Sequence, residues 1–183
     1  MIHTFEKLCV ELGLESNPPV LLVGKQALDF IERHFADRNK KVPSNANGLF
    51  LYENLNEEYI EENNIDKRCF NSGIVCLLKN RKSTLIHEMR HAYQLQNNPE
   101  YMYLEECERL SREYTETYVY YPSEEDAFTY TINYLKENSE KLFKLDYLHY
   151  KLNYMSLRLE YYVKIKFSLA KRKLVDKTAQ QWM

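Results

Sequence analysis

The sequence predicts an α+β fold, mostly helical, with a small β-sheet next to a helix that carries the pattern His-Glu-x-x-His. Three observations lead there. Glycine is scarce, at four residues in 183, and proline contributes five, which disfavours a turn-rich sandwich or barrel. Apolar residues recur at helical spacing over several stretches. Two short β-rich runs lie mid-chain, the second directly ahead of the patterned helix.

Taken in order, Phe5 to Leu14 reads as a short amphipathic helix, ended by Pro18-Pro19, and Val20 to Val23 as a brief strand. Ala27 to Phe35 places Leu28, Ile31 and Phe35 at helical spacing. Lys40 to Gly48, with Pro43, Asn45 and Asn47, is turn chemistry. Strands are expected over Gly48–Tyr52 and Gly73–Leu78, joined by a polar, acidic connection from Glu53 to Lys67. A helix should run from Thr84 to about Gln96, with Asn97-Asn98-Pro99 as its stop signal. Further helices are expected over Leu104–Thr115 and Glu124–Lys136. A long one, with room for one break, follows over Leu145–Leu174, with a stripe at Leu148, Leu152, Met155, Leu159 and Val163. The length suits a single domain over 1–183, with 140–183 a helical C-terminal extension.

Composition excludes several function classes. The net charge is −2 and the pI near 6.2, so no electrostatic footprint for nucleic acid is expected. The basic C-terminal stretch from Lys164 to Lys177 reads as a solvated helix face. Glu6 and Lys7 interrupt the first apolar stretch, so no secretory signal is expected, and no apolar run is long enough to cross a bilayer. Cys9, Cys69, Cys76 and Cys107 form no close metal-binding spacing. The expectation is a cytoplasmic protein with free thiols. The sixteen tyrosines read mainly as semi-buried packing residues, each with a polar tip.

The residues that carry chemistry are His87-Glu88-Met89-Arg90-His91. Residues four apart share one helix face, so both imidazoles can point at a single ion. Glu88 stands beside them, placed to act on a metal-bound water without being a ligand. Zinc acidifies such a water and polarises a carbonyl, while the glutamate accepts the proton. With five histidines in 183 residues, a shuffled chain contains this pattern roughly 0.015 times. Arg90, between the histidines, is expected to pair with an acid on a neighbouring helix.

A catalytic zinc usually takes three protein ligands and keeps one position open. His3, His34 and His149 stand in no recognisable setting. The better candidates are Glu124 and Glu125, at the start of a helix that can pack across the metal-bearing one, with Ala127 permitting close approach. Ser123 and Asp126 there also form a capping-box-like pair.

A strand, an HExxH helix and a later helix opening E-x-x-A together resemble the ImmA/IrrE-type zinc peptidases. More broadly they are similar to compact gluzincin-like metallopeptidases. The resemblance covers roughly residues 73–135. In that pattern the ligand glutamate precedes an alanine by three residues and an aromatic by six, a register that Glu124, Ala127 and Tyr130 fit. Phe128 and Thr131 depart from it, standing where the family more often has an acid or amide and an alanine. The resemblance implies a zincin-like minimal metallopeptidase whose HExxH helix is the active-site helix, with zinc on His87, His91 and Glu124 and Glu88 as general base. It also implies that Ile74 to Leu78 is the edge strand along which an extended peptide pairs. An oxyanion donor is expected, with Tyr118, Tyr120, Tyr121 and Tyr130 as candidates.

The expected function is therefore zinc-dependent hydrolysis of a protein or peptide, with no nucleic-acid or membrane partner. The alternative is a catalytically silent zinc-binding regulatory or interaction module. A third reading is a helical interaction protein in which HExxH is accidental, the Tyr-rich C-terminal region then serving an interface.

Overall fold

The central strand of the sheet is the most deeply buried of the three, and it organises the rest. The computed structural model describes residues 1–36, 47–52, 55–99, 122–138, 147–159 and 162–163. In chain order the elements are α1 (Ile2–Glu11), β1 (Val20–Val23), α2 (Lys25–Ala36), β2 (Gly48–Leu51), α3 (Glu57–Glu62), α4 (Cys69–Ser72), β3 (Ile74–Leu77), α5 (Lys82–Asn97) and α6 (Pro122–Glu137). A further helix, α7, covers 147–159. The described chain is thus mostly helical with a small three-stranded sheet, an α+β arrangement.

The strand order is β1-β3-β2, with β1 parallel and β2 antiparallel to β3. The expectation that β3 is the edge strand is therefore wrong. All four of its residues are buried, as a strand covered on both faces requires, and both of its ladders are occupied. Val75 and Leu77 point into a core with Leu85, Ile86, Met89 and Ala92 of α5, Leu8 of α1 and Leu135 of α6. Ile74 and Cys76 point the other way, into a core with Ala27, Phe30 and Ile31 of α2 and Tyr59 and Ile60 of α3.

The acidic connection between β2 and β3 holds structure that its polar composition hides. Asn56 caps α3, its side-chain oxygen accepting the Tyr59 amide at 2.7 Å, and Glu57 and Glu58 suit the first turn. The pair Tyr59-Ile60 is buried and anchors α3 to the α2 side of the sheet. α4 then leads into Gly73, whose φ of 78° and ψ of 177° belong to a region open essentially only to glycine. A Cβ there would overlap the Phe50 ring, which lies over it. Gly73→Ala should therefore lose at least about 1–3 kcal/mol of stability from the backbone alone. Chemical denaturation checks this, and wild-type stability would contradict it.

α5 is buried nearly all round, including its polar Ser83, Thr84, His87, Glu88, His91 and Gln94. Buried polar side chains on such a helix need partners, which marks them as the place to look for function. In α7 the apolar stripe turns to solvent. Leu148, Leu152, Met155 and Leu159 are 50–64% exposed, while Tyr147, Tyr150, Tyr154 and Leu157 face the protein. Cys9, Cys69 and Cys76 are buried free thiols. The expected turn around Pro43, the Leu104–Thr115 helix, Cys107 and the chain from 164 onward lie outside the described residues. No described helix is long and apolar enough to cross a membrane.

Candidate metal centre

α5 and α6 pack against each other, and three polar side chains converge between them. His87 and His91, one turn apart on α5, bring their Nε2 atoms within 3.2 Å. Glu124, in the first turn of α6, places Oε2 at 3.2 Å from His87 Nε2 and Oε1 at 3.5 Å from His91 Nε2. Their side chains are only 7–21% exposed. These three residues can hold a metal ion.

The donor atoms fit a cation in two further respects. Four ligands at 2.0–2.1 Å around a tetrahedral ion stand about 3.3 Å apart, close to the spacings found here. In addition, Glu124 Oε2 is buried and makes no hydrogen bond of acceptable geometry despite its short approach to His87. An orphaned carboxylate oxygen facing two imidazole nitrogens is costly unless a proton or a cation lies among them.

Both imidazoles are held from behind. His91 Nδ1 meets Gln94 Oε1 at 2.8 Å. The Gln94 amide group in turn donates to the Ser123 carbonyl at 2.9 Å and to Asp126 Oδ2 at 2.7 Å, which fixes its orientation. Its oxygen therefore accepts, so Nδ1 carries a proton and Nε2 is the nitrogen left to face Glu124 or a cation. Asp126 is secured by a two-pronged bond from Arg90, at 2.7 and 3.1 Å, and the guanidinium lies against the Tyr93 and Tyr130 rings, 4.4 and 4.8 Å from their centroids. On the other side, His87 Nδ1 meets the Tyr150 hydroxyl of α7 at 2.7 Å, and the Phe128 ring packs 4.7 Å from the imidazole.

The expected residues thus fall into place unequally. His87, His91 and Glu124 come together, whereas Glu125 turns outward to Arg158 at 3.2 Å. Arg90 does pair with an acid on a neighbouring helix, Asp126. The capping-box reading of Ser123 and Asp126 needs correcting: α6 already begins at Pro122, so Ser123 lies inside the first turn, and Asp126 serves Arg90 and Gln94. Among the candidate oxyanion donors, Tyr130 packs under Arg90 and against Tyr134, and Tyr118, Tyr120 and Tyr121 lie outside the described residues. The other histidines sit elsewhere: His34 between Phe30 and Phe35, His149 beside Asn153, His3 exposed on α1. Gln94 and Tyr150 were missed. Gln94 stands three residues after His91, a helical spacing that marks the same face. Tyr150 has no such local signal.

The site's electrostatics follow from burial and proximity. Burial pushes the Glu88 carboxyl up, and the opposing pull of the two imidazoles and the Phe50 backbone amide does not cancel it. Burial acts likewise on Glu124, but there the imidazoles of His91 and His87 win and hold the carboxylate well below its usual range. For His91 burial disfavours the charged form, yet Glu124, with help from Glu88 and Gln94, outweighs it and raises the pKa. Without metal, His91 accordingly stays protonated above the ordinary imidazole range of about 6.5.

A metal must displace that proton. Near neutral pH, uptake should release a proton, and affinity should fall as pH drops below the His91 pKa, raised to about 9, because the metal then competes with a proton already bound. Calorimetric titration in buffers of differing ionisation enthalpy measures the release; binding with no proton released would contradict the coupling. Comparison of the chain with protein-family models, curated proteins and solved structures finds no match.

Proposed function

We propose that this chain is a zinc-dependent hydrolase, specifically a metallopeptidase of the compact gluzincin-like, ImmA/IrrE type. One observation carries the reading. Two imidazole Nε2 atoms and a glutamate converge at 3.2–3.5 Å with both Nδ1 atoms engaged from behind, and a second buried glutamate follows the first histidine in sequence. Ligand type favours zinc among the common metals.

Bound there, zinc supplies Lewis acidity and an acidified water. The chain supplies the rest. His87, His91 and Glu124 would hold the ion, with Gln94 and Tyr150 orienting the imidazoles. Glu88 takes the proton from the attacking water and passes it to the leaving amine. Burial raises its proton affinity above that of an ordinary carboxylate, the direction that base catalysis near neutrality needs. β2 pairs on one side only among the described residues, and its Phe50 amide acts on Glu88. An extended peptide adding to that strand would lie beside the base, a form of β-augmentation.

The test is cleavage of unstructured peptides by the zinc-loaded protein, read as new termini by mass spectrometry. Cleavage should stop with chelator and return with zinc. A zinc-loaded protein that cuts no peptide would favour the non-catalytic, metal-holding module. The low exposure of His87, His91 and Glu88 is the observation on that side.

A further inference from the structure

We propose that Tyr150 is a positioning residue of the metal centre, through which docking of α7 and metal affinity depend on each other. The inference rests on reading His87, His91 and Glu124 as metal ligands. It goes beyond that reading in assigning part of the centre to the C-terminal helix.

The two imidazoles are supported differently. His91 is held by Gln94, a residue of its own helix less than one turn away. His87 is held by Tyr150, 63 positions along the chain and on a separate helix. With Nε2 presenting its lone pair to a cation, His87 Nδ1 carries the proton and donates it to the Tyr150 oxygen at 2.7 Å. That bond sits in an aromatic cluster: Tyr150 lies 5.5 Å from Phe128, Phe128 is 4.7 Å from His87, and Tyr154 stacks on Phe128 at 4.6 Å. The opposite face of α7 is exposed at Leu148, Leu152, Met155 and Leu159, so the cluster that surrounds His87 is also the face by which α7 is seated. The exposed Arg158–Glu125 pair adds little to that seating.

If α7 leaves, His91 keeps its orienting partner and His87 loses its own. Removing a group that orients a metal-bound imidazole typically weakens binding by roughly 10–100-fold. Linkage is reciprocal, so bound metal must favour the docked helix by the factor that docking favours the metal.

The test is competitive zinc titration of the full chain carrying Tyr150→Phe, with Tyr154→Phe as control. The first removes only the hydroxyl that meets His87. The second removes one that accepts from Arg158 and keeps the ring on Phe128. Expected is roughly 10–100-fold weaker binding in Tyr150→Phe and wild-type binding in Tyr154→Phe. Zinc should also slow amide exchange across 147–159 in the wild type, and less so in Tyr150→Phe. Equal zinc affinity in all three proteins overturns the proposal and leaves the metal centre standing. A wild type that takes up no zinc overturns both. Should Tyr150→Phe fail to fold, zinc-loaded wild type decides. A slowly exchanging His87 Nδ1 proton in the NMR spectrum supports the bond, and a freely exchanging one overturns it.

Discussion

Replacing Glu88 with glutamine should abolish most hydrolysis while leaving the metal in place. Glu88 is no member of the three-ligand cluster, and glutamine preserves its volume in a nearly closed position, 7% exposed. What is lost is the ability to accept a proton. A positioned general base contributes about 10²–10⁴-fold, so the rate should fall by at least that much. Zinc affinity should change little, falling slightly at most as a nearby negative charge disappears. Single-turnover cleavage with metal analysis of the same sample separates the two effects. Full activity in Glu88→Gln would remove Glu88 from the chemistry.

The second large effect concerns the third ligand. Glu124→Gln should cost more metal affinity than the roughly 10–100-fold that losing a supporting partner costs, because an anionic donor leaves the ion's own shell. Glu125→Gln should bind metal like the wild type, since that side chain faces Arg158 at the surface. The adjacent pair thus forms an internal control. If both variants bind as the wild type does, the site is assembled from other groups; if Glu125→Gln alone loses metal, α6 sits in a different rotation.

How far these residues were legible in the sequence depended on the range of the signal. His87, Glu88 and His91 announce themselves within five positions, and β1, β2, β3, α5 and α6 lie close to where apolar patterning puts them. α3 was hidden because the buried pair Tyr59-Ile60 sits in an acidic run too short to show a period. The central place of β3 was misjudged because strand order is set by pairing between distant segments, which local alternation does not report. The stripe of α7 was visible, yet which face turns inward was decided by aromatic contacts to Phe128 and His87. Gln94 carried a usable helical-spacing signal. Tyr150 carried none, being one tyrosine among sixteen, joined to His87 only by the fold.

The most direct test is the zinc content of the purified protein, by elemental analysis, beside a His87→Ala/His91→Ala double variant. About one zinc per chain in the wild type, absent from the variant, is the predicted result. A wild type that holds no metal after incubation with zinc at neutral pH would contradict it, and the convergence of His87, His91 and Glu124 would then be a buried proton-sharing cluster.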